Sequence, residues 1–173
     1  MENITLYIVI SLHVLTLVVI CFISRFTFNK DIATIKMEVV KESRKEVIAL
    51  RIKAVERLTL FLERITPESI ILREQGNTKN NFSLQTTLLS AIRQEYEHNL
   101  VMQVYVSNET WEKVKQAKEE VVRMINMCST EVNPANPSLE LAKIILERYS
   151  FAGASHVERA IVSLRSEVNN MLH

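Results

Sequence analysis

Glycine, proline and cysteine are scarce in this sequence. Its 173 residues include two glycines, three prolines and two cysteines. Because glycine and proline interrupt helices, their scarcity favours a chain that is mostly helical. The two cysteines, Cys21 in an apolar segment and Cys128 in a helical pattern, provide no disulfide framework, so a reducing compartment suits the chain. Patterns typical of β-strands are nearly absent, which argues against a sheet-based fold.

An excess of charge of one sign is also lacking, since the formal net charge is +1. The distribution is nevertheless uneven. From Arg25 to Arg64 there are ten Lys/Arg against six Asp/Glu, and from Pro67 onward eleven against thirteen. The basic stretch has no interleaved aromatic side chains and alternates with glutamates, so it does not resemble a nucleic-acid interface. We expect no nucleic-acid partner, and attraction to anionic lipid is the simpler role.

One long hydrophobic run is present, from Ile4 to Ile23. Sixteen of its twenty residues are apolar and none carries a formal charge. As a helix it would span roughly the 30 Å hydrocarbon core of a bilayer with its backbone groups paired internally. The sequence therefore predicts a transmembrane anchor over residues 1–28. A cleaved signal peptide is the alternative, but Glu2 is the only charged side chain before the run and no small-x-small cleavage site follows it.

Positive charge lies on the C-terminal side of the run. This asymmetry predicts an N-terminus outside the cell and a C-terminal domain in the cytoplasm. The side chains expected at the membrane interface are those of Arg25, Phe26, Phe28, Lys30 and Lys36.

Polar side chains within the run are few. His13 and Thr16 lie on one helical stripe and are candidates for contact with a partner transmembrane helix. The alternative for His13 is a neutral histidine tolerated in an apolar span.

The rest of the chain carries amphipathic helical patterns. Residues 29–66 have apolar positions at three- and four-residue spacing, which predicts a juxtamembrane helix whose second half packs on a bundle. Its charged first half is expected to form a stalk, or to continue the transmembrane helix. Residues 67–173 predict a cytoplasmic helical bundle, because each helix has one apolar face that must be buried. The predicted fold is therefore all-α.

Several local features of the bundle can be predicted. Thr66 and Ser83 are expected to cap helices, and Ser155-x-x-Glu158 reads as a capping box. Trp111 is expected as a core anchor beneath a helical hairpin turn, an exposed recognition tryptophan being the alternative. The expected inward stripes are Leu84, Leu88, Ile92, Tyr96, Leu100 and Val104 in one helix and Leu139, Ala142, Ile145 and Tyr149 in another. Residues Gln75–Asn81 are polar throughout, which predicts a mobile loop or one ordered by a partner.

The sharpest chemical motif is Glu95-x-x-His98. Glutamate and histidine three apart on a helix project to one side, as in di-iron bundles, so this pair is a candidate for metal binding. Such a centre needs a second pair, and the chain contains no second E-x-x-H. The competing interpretation is a solvated or paired polar face. Arg93, Glu97 and His98 would then form a docking surface for a partner.

Three stretches resemble a known family: Glu56–Ser69 (ERLTLFLERITPES), Ile92–Leu100 (IRQEYEHNL) and Val106–Glu120 (VSNETWEKVKQAKEE). They are similar to an uncharacterised bacterial family, a domain of unknown function, of short single-pass membrane-anchored helical proteins. The resemblance implies a protein of the bacterial inner membrane. It implies no activity and transfers no functional residue.

The expected function is that of a membrane-tethered scaffold that binds an unknown protein partner, or itself, beside the lipid bilayer. We expect no cofactor and no enzymatic activity, because the sequence contains no phosphate loop, paired metal-ligand cysteines or nucleophile–base constellation. Two alternatives remain open at this stage. One is a metal-dependent or redox enzyme that uses Glu95 and His98, and the other is a structural oligomer built on a coiled stalk.

Overall fold

The helices follow one another with short connections. In the computed structural model, described for residues 2–151 and 155–172, they are α1 (Glu2–Arg64), α2 (Pro67–Glu74), α3 (Asn81–Asn99), α4 (Asn108–Ser129), α5 (Ser138–Phe151) and α6 (His156–Leu172). Two 3₁₀ segments, Gln75–Asn77 and Leu100–Tyr105, precede and follow α3. Side chains at 2–3, 5–10, 26–35, 77 and 172 lie outside this description. Within the described residues the fold is all-helical, with no strand, which confirms the predicted class.

The chain divides into two compact units, residues 1–47 and 48–173. In the first unit, every residue from Ser11 to Arg25 and from Lys36 to Val47 is exposed. Helix α1 covers the segments predicted as anchor and juxtamembrane helix without an interruption. Among the residues that the structure describes, no helix is sufficiently long and apolar to cross a membrane.

The second unit is organised around one hydrophobic core. Its largest fully buried side chains come from the last turns of α1 and from helices α2 to α6: Leu58, Phe61, Leu62, Ile65, Ile70, Leu84, Leu88, Ile92, Ile125, Leu141, Ile145 and Leu164. Buried positions recur at three- and four-residue spacing, as in Leu84, Leu88 and Ile92 of α3 or Val157, Ile161 and Leu164 of α6, so such a helix buries one stripe and exposes the opposite one. Helix α4 packs along α6, and α3 packs on both α4 and α5.

Helix starts follow capping chemistry. Thr66 caps α2 with Pro67 in the first turn, and Ser155 and Glu158 form the predicted capping box of α6. For α3, the prediction of Ser83 as the cap was wrong. The cap is Asn80, whose side chain accepts from the Ser83 N–H at 2.8 Å, while the Ser83 hydroxyl accepts from the Asn80 N–H at 3.2 Å. The two residues therefore satisfy each other's backbone donors.

Helix α3 is shorter than its sequence pattern predicts. It changes to a 3₁₀ segment at Leu100, and this tighter winding rotates the following side chains away from the stripe of the α-helix. Leu84, Leu88 and Ile92 are buried as expected, whereas Leu100 is 38% exposed and Val104 is 74% exposed. The prediction that those two residues face the core was wrong.

The inward face of α5 is also shifted from the prediction. Ala142 and Ile145 are buried as expected, but Leu139 is 65% exposed and Leu141 takes its place in the core. Ser138 holds the first turn in this orientation. Its N–H donates to the Lys79 carbonyl at 3.4 Å and its hydroxyl donates to the Thr78 carbonyl at 3.1 Å.

Asn81 ties the start of α3 to the connection between α4 and α5. This residue is 1% exposed. Its amide nitrogen donates to the Asn133 carbonyl at 2.8 Å and to a Glu140 carboxylate oxygen at 2.9 Å, and its amide oxygen accepts from the Leu141 N–H at 3.1 Å. Asn81, predicted as the last residue of a polar loop, is therefore the buried first residue of α3. Its hydrogen bonds hold this end of the segment against the core.

Glu167 joins three distant segments of the chain. One carboxylate oxygen accepts from the Ser107 N–H and from the Thr110 hydroxyl, both at 2.9 Å, and the other accepts from Arg51 at 3.1 Å. Arg51 also donates to the Tyr105 carbonyl at 3.0 Å. Burial opposes ionisation of Glu167, but these hydrogen bonds and the Arg51 charge outweigh it and lower the pKa of the carboxyl. The carboxylate thereby anchors α6 to α1 and to the first turn of α4.

Asn81→Ala should destabilise the full-length protein by at least about 2 kcal/mol, because buried groups at Asn133 and Leu141 lose their partner. Urea unfolding, followed by the fluorescence of the single tryptophan, measures the change. Asn126→Ala, at an exposed position in α4, is the matched control and should cost under about 0.5 kcal/mol. Equal effects of the two substitutions would contradict the assigned role of Asn81.

Glu167→Gln should cost about 1–3 kcal/mol at pH 7, since Arg51 loses a charged partner. The lowered pKa also predicts a pH dependence. The stabilisation is fully present above the ordinary carboxyl pKa of 4.5 and is lost as pH falls through the lower folded-state value. Unfolding curves between pH 7 and pH 3 should therefore show a steeper loss in wild type than in Glu167→Gln. The exposed Glu147→Gln should retain the wild-type profile.

Candidate functional site

A groove of about 740 Å³ lies in the second unit between α1, α2 and α3. Its charged and titratable side chains come from all three helices: Arg57 and Arg64 from α1, Arg73 and Glu74 from α2, and Glu95 and His98 from α3. The spacing explains the convergence, because residues seven apart on α1 and three apart on α3 lie on one helical face. The groove therefore concentrates three guanidinium groups on one side of the bundle.

Apolar side chains also line the groove. Leu60 and Phe61 lie between the two arginines of α1, one turn from each, and Ala91 lies one turn before Glu95 on α3. Phe61 is 1% exposed and belongs to the core, whereas Leu60 is 58% exposed. The groove thus combines mainly charged and polar lining residues with a few apolar ones.

Arg64 and Arg73 are held in place by neighbours. Nη2 and Nε of Arg64 lie 2.6 and 2.7 Å from the same Glu95 carboxylate oxygen. Arg73 donates to Glu74 at 3.0 Å and to the Arg64 carbonyl at 3.4 Å. These contacts hold the two guanidinium groups at the junction of α1 and α2. Together they form a basic corner that remains partly exposed to solvent.

The predicted Glu95-x-x-His98 pair lies in this groove. Glu95 is occupied by its ion pair with Arg64, which competes with a metal ion for the carboxylate. Among the described residues, no cluster of three or more His, Cys, Asp or Glu side chains is arranged to hold a metal ion. The second carboxylate set that a di-iron centre requires is not found beside this pair.

The other proposed docking residues lie on the same helix. Arg93, Glu97 and His98 are all exposed, as expected for the polar face of α3. Only His98 lines the groove. Arg93 and Glu97 therefore belong to a neighbouring part of the α3 surface.

The core side of α3 and α4 is held by aromatic contacts. The Tyr96 ring stacks on the Trp111 ring with 5.8 Å between the ring centroids, and its centroid lies 6.0 Å from that of Phe61. The Lys118 ammonium lies 4.3 Å from the Tyr96 centroid. Trp111 is 8% exposed, which confirms its prediction as a core anchor. This packing gives the groove a rigid support.

The residues predicted at a membrane all belong to α1. Arg25 and Lys36 are exposed, and the side chains of Phe26, Phe28 and Lys30 lie outside the described residues. The Thr16 hydroxyl donates to the His13 carbonyl at 2.8 Å, so this hydrogen bond stays within the helix. Thr16 and His13 are both exposed.

Cys128 is a core residue, with no exposed surface. Burial raises the pKa of its thiol, and this effect exceeds the opposing influence of Arg148. A buried thiol kept protonated in this way is a poor nucleophile. The residue therefore packs and does not contribute reactivity to the groove.

Arg57, Arg64 and Arg73 are the groove cations that sequence reasoning missed. The sequence does indicate that one face of α1 lines a common surface, because the spacing of one helical face relates Arg57, Leu60, Phe61 and Arg64. That spacing does not indicate which other helix the face contacts. The contribution of Arg73 depends on the turn at Thr66 and Pro67, which brings α2 back beside α1.

The comparisons with known proteins concern the whole chain. A family model described as a family of unknown function, DUF7935, matches residues 1–171. This match confirms the resemblance to a domain of unknown function inferred from three sequence stretches. No curated protein and no solved structure matches the chain.

The Arg64–Glu95 ion pair should contribute little to stability. Both side chains are partly exposed, at 44% and 20%, so solvent weakens their attraction. A double-mutant cycle with Arg64→Gln and Glu95→Gln, measured by urea unfolding, should yield a coupling free energy of about 0–1 kcal/mol. A coupling above about 2 kcal/mol would show that the pair is a structural element of the core rather than part of an accessible groove.

Proposed function

The chain belongs to the family of unknown function DUF7935, and we propose that it is a membrane-tethered helical interaction protein. In this proposal the N-terminal part of α1 is embedded in the inner membrane of a bacterium, and the second unit lies at the cytoplasmic face. There it binds a protein partner or a second copy of the chain. The protein acts by raising the local concentration of whatever it binds, because tethering makes a modest contact effectively intramolecular.

The main support for membrane tethering is the exposed apolar surface of α1. Every residue from Ser11 to Arg25 is exposed, including Leu15, Val18 and the 74% exposed Phe22. Monomeric proteins in water rarely leave a continuous apolar surface of this size uncovered. The uncharged run from Ile4 to Ile23 is matched in length to the bilayer core, so lipid is the medium that suits it.

Positive charge beyond the run supports the same placement. Lys36, Lys41, Arg44 and Lys45 are exposed in the first unit, and Lys45 also pairs with Glu42 at 3.2 Å. Each cation close to anionic lipid contributes roughly 1 kcal/mol of attraction. Retention of these residues on the cytoplasmic side is the basis for the proposed orientation.

A second observation favours self-association as one form of the interaction. Between Lys36 and Leu50, the apolar side chains of Met37, Val39, Val40, Val47 and Leu50 are 46–70% exposed. Val40 and Val47 are seven residues apart, the spacing of one position in successive heptads. Arg44 interrupts that seam, so the expected association is weak. Sedimentation of the full-length protein in detergent should therefore show an oligomer that dissociates on dilution. If the protein is instead a strict monomer, self-association is excluded and the proposed partner is a different protein.

Membrane fractionation tests the tether. The full-length protein, expressed in a bacterial host, should remain in the membrane pellet after a carbonate wash. The double variant Leu15→Arg/Val18→Arg should move to the supernatant, because each arginine at the centre of a span costs about 2.5–3.5 kcal/mol. Met37→Arg, at an exposed apolar position outside the run, should stay in the pellet. Recovery of wild type in the supernatant would overturn the proposal.

A further inference from the structure

Arg57 and His98 are the groove residues whose side chains have no partner among the described residues. Arg57 lines the groove from α1 and His98 lines it from α3. Both side chains are exposed, and neither forms a hydrogen bond or an ion pair within the described part of the chain. The groove therefore offers a guanidinium group and an imidazole that are free to bind a ligand.

The basic corner adds further donors. Arg64 and Arg73 each use two N–H groups on neighbours within the protein, whereas a guanidinium carries five. Three arginines face two carboxylates, Glu74 and Glu95, around the groove. The balance of charge is positive before any contribution from His98. An anion is therefore the complementary ligand.

We propose that this groove binds a phosphate monoester that carries a small apolar group. A phosphate dianion accepts several hydrogen bonds at once and matches the fork of a guanidinium, which suits the unpaired side chain of Arg57. The apolar surface at Leu60 and Ala91 accommodates the organic part. The volume of about 740 Å³ is in the range of small-ligand sites, about 300–1,000 Å³.

This site does not depend on the membrane tether. All of its residues belong to the second unit, residues 48–173. Its ligand can come from solution, as a free phosphate monoester, or from a lipid headgroup with a terminal phosphate. Both sources present the same chemistry to Arg57 and His98, so the experiment must separate them.

Calorimetric titration of the full-length protein in nanodiscs of neutral lipid tests whether the groove binds a free phosphate monoester from solution. Phenyl phosphate is the probe, and benzoate is the comparison ligand with the same ring and a single carboxylate. We expect phenyl phosphate to bind at least tenfold more tightly than benzoate. Arg57→Gln should weaken binding at least tenfold, and His98→Gln should weaken it measurably. Arg93→Gln, an exposed arginine on α3 that does not line the groove, should bind as wild type does.

Nanodiscs that contain phosphatidic acid test the lipid source. If a headgroup occupies the groove, phenyl phosphate should bind more weakly in these nanodiscs than in neutral ones, and Arg57→Gln should abolish that difference. Equal binding in both nanodiscs, with the dependence on Arg57 retained, identifies a soluble ligand. Either result supports an anion site in the groove.

Two results would overturn the proposal. One is the absence of phenyl phosphate binding at millimolar concentration in neutral nanodiscs. The other is binding that Arg57→Gln and Arg93→Gln weaken equally, since this would reflect general surface charge. Circular dichroism of each variant establishes that the fold is retained, which is expected because Arg57 and Arg93 are both exposed.

Discussion

Burial of one face of α1 is the constraint on which the second unit depends. Leu58, Phe61, Leu62 and Ile65 are at most 1% exposed and form a single hydrophobic cluster with side chains from α2 to α6. Removal of such side chains from water supplies the main driving force for the fold, at about 1.5–3 kcal/mol each. The outer face of the same turns carries Arg57 and Arg64, so packing of the core also places the cations of the groove.

Two buried polar residues, Asn81 and Glu167, then determine how the helices are arranged against one another. Asn81 joins α3 to residues more than fifty positions later in the chain, and Glu167 joins α6 to α1 and α4. Both are buried, so each must have all its partners in place for the burial of polar atoms to be tolerated. A hydrophobic core tolerates several registers of its helices, whereas such residues are satisfied in one arrangement. They therefore contribute specificity to the bundle beyond the free energy of the core.

The distribution of chemistry along the chain suggests a division of roles. In the proposed function, the exposed apolar and basic side chains along α1 in the first unit contact lipid and its headgroups. The second unit carries its own core and a basic groove with a few apolar lining residues. In the two proposals taken together, the groove supplies the selectivity for a ligand and the tether supplies the location.

Local periodicity and capping chemistry in the sequence determined the helical class, the buried positions Leu84, Leu88 and Ile92 of α3, and the caps at Thr66 and Ser155, because these depend on residues within two or three turns of one another. The sequence also placed Glu95 and His98 on one face of α3. Only the tertiary structure decided what that face meets. Contacts of Arg64 with Glu95, Asn81 with Asn133, and Arg51 with Glu167 join residues 31, 52 and 116 positions apart. Such pairings arise from how helices pack, and no local pattern encodes them.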